Sequence, residues 1–334
     1  MSTIIAIASG KGGVGKTLVT ASLAIALQRR GHSVLAVDAD MGLRNLDLMF
    51  GMQDDVLYDI GDVIKGRCRA GEAVMTVADE LEFLAASQKH TWEKIDAPTY
   101  QYIVETLSKD YDYTLIDCPP GRGRAYKDAT AIADRIFFVV EPTWSSMRDA
   151  ARVMQFCNKR KRFNYDVLFN NFYSGVPGYV PVQDMLQILN PETVAGILPH
   201  DPAVHRAAHE GCLLHAAETP FMKALAQTAA YVEGGAAPDI GSLTALLPTA
   251  EGAGAEEKES LPVADEEEKE SLGCMKALAV AELQKAAAIL NGTAAEPEEE
   301  PEEDAADEDM PRRPRGLSLR RRRDQSAAWR HYRR

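Results

Sequence analysis

Short runs of aliphatic and β-branched residues recur along the first 230 or so positions, and each ends in a glycine, a proline or a polar turn. The first, residues 3–9 (TIIAIAS), stops at Gly10, and a continuous apolar run of this length predicts a buried strand. Over residues 16–30 the spacing becomes helical, with Leu18, Leu23, Ala26 and Leu27 marking one face and Gly31 the stop. Residues 33–38 (SVLAVD) return to a strand. Strand, glycine-rich turn, helix and strand in this short compass make a βαβ unit. The theme repeats at 81–86 (LEFLAA), 113–120 (YTLIDCPP), 135–142 (RIFFVVEP), 165–171 (YDVLFNN) and 194–199 (VAGILP). Apolar strands alternating with helices predict an α/β fold, a mainly parallel doubly wound sheet covered on both faces.

The alternation fades after Val232, which sets the expected domain at 1–235. Residues 236–270, rich in Gly, Ala, Pro and Glu, read as a linker. A candidate amphipathic helix follows at 271–291, with Leu272, Met275, Leu278, Ala279, Leu283 and Ala286 roughly on one face. Residues 292–310 read as an acidic disordered segment and 311–334 as an arginine-rich tail.

Charge sharpens this division. The 334 residues sum to a net −13, but Glu251–Asp309 holds −16 and Pro311–Arg334 holds +9, leaving about −6 for the first 250 residues. That balance argues against a nucleic-acid footprint over the whole protein, and no specific nucleic acid is expected as a partner. Cys68, Cys118, Cys157, Cys212 and Cys274 include no CxxC pair, so neither a disulfide framework nor a zinc site is suggested and a reducing cytoplasm fits. The opening MSTIIAIASGKGG lacks the basic region of a signal peptide, and no apolar run approaches the roughly 20 residues that span a bilayer. Any membrane contact is therefore expected to be peripheral.

The strongest chemical signal lies in the first turn. Gly10, Lys11, Gly12, Gly13, Val14, Gly15, Lys16 and Thr17 fit GxxxxGK[ST] between a predicted strand and a predicted helix, the setting that a phosphate-binding loop requires. Glycines let the backbone turn its N–H groups inward, and the helix start adds partial positive charge. Lys16 is expected along the β- and γ-phosphates of ATP, and the Thr17 hydroxyl on Mg²⁺. Asp38 and Asp40 lie where the second strand meets its loop, and Asp117 closes the run YTLID. Carboxylates at the C-terminal ends of strands, beside a phosphate loop, sit where ligands bind in open α/β sheets. One of the first two can hold a metal-bound water while the other orients the attacking water. Asp117 is the natural Walker B carboxylate. Trp92 and Trp144 read as packing residues. His205 and His209, four apart beside Cys212 and His215, have the spacing of a metal pair but read more simply as one helix of the domain.

Lys11, a second lysine early in the loop, resembles the mark of the deviant Walker A (ParA/MinD) P-loop ATPases. SGKGGVGKT, DADMGLRNLDLMFG, LAASQ (84–88), DCPPG (117–121) and SSMRDAARV (145–153) together resemble the MinD family, which places the bacterial division site. The match runs in order from about residue 3 to residue 232. The resemblance implies that Lys11 reaches a partner subunit's ATP, so that Lys11, Lys16 and Asp40 are catalytic, with Asp40 positioning water. It implies that Gly10 through Leu18 bind nucleotide, that Thr17, Asp38 and Asp117 support the metal, and that Arg44 and Asn45 form a switch near the dimer interface. Asn171, Pro199, His200 and Asp201 resemble an adenine pocket, though Asn171 reads equally as a turn residue. Implied partners are a second copy on ATP binding, a MinC-like division inhibitor docking near Asp149, a MinE-like or other topological regulator, and an anionic membrane surface. The implied location is the bacterial cytoplasm, peripheral to the inner face of the cell membrane.

Three departures stand out. Leu18 stands where most relatives have a second threonine, and Ala151 where some have an acid. The tail offers two membrane candidates, residues 266–285 and the stretch 317–334 with Leu317, Leu319, Trp329 and Tyr332; the second reads equally as a solvated basic tail. The competing readings are a partitioning ATPase that holds nucleoid DNA, a flagellar-placement relative, and a metal-cluster carrier, which the unpaired cysteines disfavour.

Overall fold

The structure, a computed structural model, describes residues 2–162, 164–172 and 179–247. The expected segments 271–291, 292–310 and 311–334, and both tail candidates, lie outside the described residues.

Eight strands form one sheet: β1 (Thr3–Ala8), β2 (Val34–Asp38), β3 (Val74–Ala78), β4 (Leu81–Leu84), β5 (Tyr113–Asp117), β6 (Arg135–Val140), β7 (Tyr165–Phe172) and β8 (Val194–Pro199). Their spatial order is β3-β4-β2-β5-β1-β6-β7-β8. All described pairings are parallel except β3 with β4. This is the mainly parallel α/β sheet that the apolar runs predict. The antiparallel edge strand β3 was not among them, because its residues are only half buried or exposed and form no continuous apolar run.

The helices are α1 (Lys16–Arg29), α2 (Leu46–Phe50), α3 (Ile60–Ile64), α4 (Ala70–Ala73), α5 (Ala97–Ser108), α6 (Arg124–Thr130), α7 (Trp144–Lys159), α8 (Val182–Leu189), α9 (Pro202–His209), α10 (Pro220–Val232) and α11 (Ile240–Thr244). The helical spacing of residues 16–30 predicts one apolar face for α1, but the helix is covered almost all round. Even Thr20 and Ser22 are buried, and Ala21, Ala24 and Ala26 let neighbours approach closely. The reason is its position between the sheet and α10.

The folded unit also runs past the expected boundary at residue 235. Asp239 caps α11 by accepting from the Ser242 amide, and Leu243 is fully buried against the β8 region. The first part of the expected linker is therefore core, held by Leu243 and Leu247 in a stretch whose composition otherwise reads as spacer. Among the described residues, no helix is long and apolar enough to cross a membrane.

The ends of α1 and α10 are clamped by charge. Arg30 Nε and Nη2 donate to the two Glu233 carboxylate oxygens at 2.6 and 2.5 Å, and His32 Nε2 lies 2.8 Å from Oε1. The Arg30 hydrogen bonds lead the effects that lower the Glu233 pKa from 4.5 to about 2. A depressed carboxyl contributes stability above its unfolded pKa and loses it as pH falls through the folded one. Glu233→Gln should cost about 1 kcal/mol near neutral pH, given the clamp's partial exposure. In chemical denaturation the deficit should shrink below pH 4.5 and fade towards pH 2.

Candidate nucleotide site

β1 is the central switch point of the sheet, with β5 and β2 on one side and β6, β7 and β8 on the other. Ligands bind beyond strand C-termini at such a point. The loop from Gly10 to Gly15 lies there, between β1 and α1.

Gly15 occupies the N-cap of α1 in the left-handed region (φ 85°), and the helix has no side-chain cap. Asp96, Thr143, Asp201, Thr219 and Asp239 cap α5, α7, α9, α10 and α11, whereas α2, α6 and α8 share with α1 the lack of a side-chain cap. The first N–H groups of α1 are left to a ligand, which is the electrostatics of an anion site. Lys16 is buried at 8% exposure, and among the described residues no carboxylate lies within ion-pair distance of it. A Cβ built on Gly12 or Gly13 would meet nothing within 4 Å, so the crest of the loop is open. An uncapped helix, an unpaired buried lysine and an open loop together fit a polyphosphate. The side chains of Val14 and Leu18 are buried in the core, so Leu18 can meet a ligand only through its backbone N–H in the first turn of α1.

Two strands align their carboxylates. Asp38 on β2 pairs in register with Asp117 on β5, and both are buried. Asp117 Oδ2 accepts the Thr17 hydroxyl at 2.7 Å, and Oδ1 lies 3.4 Å from the Thr20 hydroxyl. Asp38 accepts three backbone N–H groups, from Asp40 at 2.9 Å and from Asn45 and Leu46 at 3.0 Å each. Burial raises both pKa values, and the charge of Asp117 adds to the rise at Asp38. Burial also raises Asp40, opposed by the charge of Lys16. Among the described residues, no group of three or more His, Cys, Asp or Glu is poised to hold a metal alone. That sets aside the His205, His209, Cys212 and His215 reading. A Thr17 hydroxyl beside Asp117 instead suits Mg²⁺, which keeps waters and completes its shell with substrate phosphates.

The remaining expected residues divide. Lys11 Nζ donates to Ser145 Oγ at 3.3 Å and lies 3.8 Å from Glu141 Oε2, at the end of β6 and the first turn of α7. Arg44 has a left-handed backbone (φ 53°) and folds inward, its Nε 2.6 Å from Asp47 Oδ2, while neighbouring Leu43 is exposed. Asn45 engages through its amide and not its side chain. Asp149, half-buried, lies 3.8 Å from both Arg148 and Arg152. Ala151 is buried and adds nothing to an outward docking surface. Asn171 (φ 58°) donates to Glu141 Oε1 at 3.4 Å, and its Oδ1 is within hydrogen-bonding reach of His200 Nδ1. Pro199 ends β8, and Asp201 spends its carboxylate capping α9.

Sequence reasoning missed Asn170. Its Nδ2 donates to the Val14 carbonyl at 2.9 Å, and a Cβ on Gly15 would strike the same atom. Glu141 and Ser145, the groups that hold Lys11, were also missed. The doublet Asn170-Asn171 ending an apolar strand was the one available signal.

A loop closing on an uncapped helix, a buried lysine and a strand-end carboxylate bonded to the loop threonine define a P-loop nucleotide-binding domain. Lys11 adds the deviant Walker A signature. A family model described as AAA domain matches residues 2–168. The septum site-determining protein MinD of Helicobacter pylori is 34% identical over 223 residues, 63% of this chain and 83% of that one. The MinD of Bacillus subtilis is 33% identical over 218 residues, covering 63% and 81%. Among solved structures, the MinC:MinD complex of Aquifex aeolicus superposes with a TM-score of 0.65 at 34% identity, covering 71% of this chain and 98% of that one. The protein belongs to the MinD family of septum-site-determining P-loop ATPases.

The loop also packs tightly on the backbone of α7. A Cβ on Gly10 would lie 2.5 Å from the backbone carbonyl carbon and oxygen of Asp149, where no flexible group can yield. Gly10→Ala should cost about 1–3 kcal/mol by overpacking and displace the loop. Thermal unfolding reads the first effect, and a fluorescent-ADP titration the second, as a large loss of affinity.

Proposed function

We propose that this protein is an ATP-hydrolysing switch for division-site placement, in which ATP-driven dimerisation couples to peripheral membrane binding and to recruitment of a MinC-like inhibitor. The observation that carries the reading is Lys11, an ammonium lodged on Glu141 and Ser145 at the mouth of the site. A lysine at that rim suits donation to a second copy's phosphate, as an arginine finger supplied in trans does.

In this reading Lys16 and the free N–H groups of α1 hold the β- and γ-phosphates. Thr17 and Asp117 hold Mg²⁺, which when bound neutralises charge on the phosphate oxygens. Asp40 orients the attacking water, and Asp38 ties the switch backbone to the sheet. Asn171, Pro199, His200 and Asp201 border the base. Once two copies close over ATP, their membrane segments act together through effective concentration on an anionic surface. Hydrolysis parts the dimer, and a MinE-like or other regulator sets its rate. The place of action is the bacterial cytoplasm, against the inner face of the cell membrane.

Support comes from the relatives as well as the site. The Aquifex structure is of MinD with MinC. A MinD of Pyrococcus horikoshii, with a TM-score of 0.63 at 30% identity over 70% of this chain and 96% of that one, was solved with Mg-ADP.

The test is co-sedimentation with anionic liposomes in ATP and in ADP, for the intact protein and for truncations after residues 311 and 264. The intact protein should sediment with ATP only, and the truncations assign the anchor. Indifference to both lipid and nucleotide sinks the proposal. ATP-dependent, salt-sensitive retention on DNA without lipid binding would put the partitioning reading in its place.

Lys11→Ala should abolish the ATP-linked dimer in light scattering. Glu141→Gln removes the charge that holds Lys11 in cis, and should lower the ATP needed for half-dimerisation about two- to fivefold.

A further inference from the structure

A cavity of about 500 Å³ opens between α6 and the C-terminal half of α7. That is the size of a small-molecule pocket, for which about 300–1,000 Å³ is usual. Its apolar lining centres on Phe156 and buried Tyr126, whose hydroxyl lies 3.4 Å from Cys157 Sγ. Its charged lining is wholly cationic: Lys127, Arg160 and Arg162. Lys127 Nζ lies 5.4 Å, and the Arg160 guanidinium 4.5 Å, from the Phe156 ring centroid. Arg162 is fixed in place, donating to the Thr130 carbonyl at 2.8 Å and its hydroxyl at 3.4 Å.

None of these three cations forms an ion pair with a carboxylate among the described residues. In a protein of net −13 that is a notable concentration, and residues 159–162 (KRKR) are cations without interruption. Mutual repulsion makes such a cluster costly unless an anion offsets it, and low-dielectric walls strengthen its field. Guanidinium forks match carboxylate and phosphate oxygens in pairs, and an aromatic ring beside them accepts an apolar body. The volume of this half-open cavity matches a small ligand.

We propose that this cavity binds a small organic anion, a phosphate- or carboxylate-bearing molecule whose apolar part packs on Phe156. The inference rests on the cavity alone and is independent of the ATPase reading.

The experiment uses the full-length protein with Mg-ADP in excess, so that the phosphate loop does not compete for the probe. Phenyl phosphate, benzoate and benzyl alcohol are titrated with ligand-observed NMR. At least one aryl anion should bind and the alcohol should not; the preferred anion identifies the head group. Arg160→Gln and Lys127→Ala should each weaken binding about tenfold, the loss of one charge-assisted hydrogen bond. Thermal unfolding checks that both variants fold, and Arg160→Lys should recover part of the affinity. Absence of aryl-anion binding, equal binding of the alcohol, or unchanged affinity in folded variants overturns the proposal. Binding of an acidic peptide or of DNA without any aryl anion overturns it too, and assigns the cations to a polymer.

Discussion

Two carboxylates buried side by side set the terms for the rest of this domain. Asp38 and Asp117 face each other across β2 and β5 in strict register, with almost no exposure. Burying one unpaired carboxylate is costly, and burying two together more so. The fold treats them differently. Asp38 accepts three backbone N–H groups, which cannot turn away. That fixes residues 40–46 as a loop hung from the end of β2. Asp117 accepts the Thr17 hydroxyl, which rotates freely about its C–O bond, while the more distant Thr20 hydroxyl donates to the Lys16 carbonyl at 2.9 Å. Its lone pairs can therefore be released to a cation, and the Thr17 hydroxyl can turn its own lone pairs to the same cation. One aspartate is committed to backbone donors and the other keeps oxygens that a rotating hydroxyl can free, a distinction that follows from the donors around them.

The phosphate loop is gripped at three points from distant parts of the sequence. The backbone of α7 abuts Gly10, Asn170 at the end of β7 holds the Val14 carbonyl, and Glu141 with Ser145 holds Lys11. Only the crest at Gly12 and Gly13 is open. A loop so held keeps its amides aimed before ligand arrives, so little ordering entropy remains to be lost on binding. The missing cap on α1 is the counterpart of this order: its N–H groups stay free because no neighbouring side chain occupies their position.

Much of this was legible in the sequence because it is local. The strand–loop–helix octet, the strand-end aspartates and the parallel sheet follow from contiguous residues whose spacing maps directly onto geometry. What was not legible is long-range. Asn170 meets the loop from 156 residues away, and Ser145 meets Lys11 from 134 away. No spacing rule connects such pairs. The edge strand β3 escaped notice because half-exposed strands lack an apolar run. α11 escaped because it is five residues long and only Leu243 within it is fully buried. The all-round burial of α1 was hidden for a related reason. Alanine, threonine and serine do not announce which side of a helix is covered, and α10 arrives some 200 residues later.

Asn171 illustrates how a residue can satisfy two sequence readings at once. Its left-handed backbone is what a turn residue would adopt, and asparagine tolerates that region better than most. Yet its side chain is engaged at both ends, donating to Glu141 and meeting His200. Glu141 in turn lies beside Lys11. The four residues make a continuous polar line from the end of β8 to the mouth of the phosphate loop. A ligand group that drew the Asn171 amide away would remove a donor from Glu141, leaving that carboxylate more dependent on Lys11. One that instead supplied Glu141 with a stronger donor would loosen its hold on the lysine. Contacts at the β7–β8 end and the freedom of Lys11 are thus coupled through one carboxylate, and by linkage the effect runs equally in both directions.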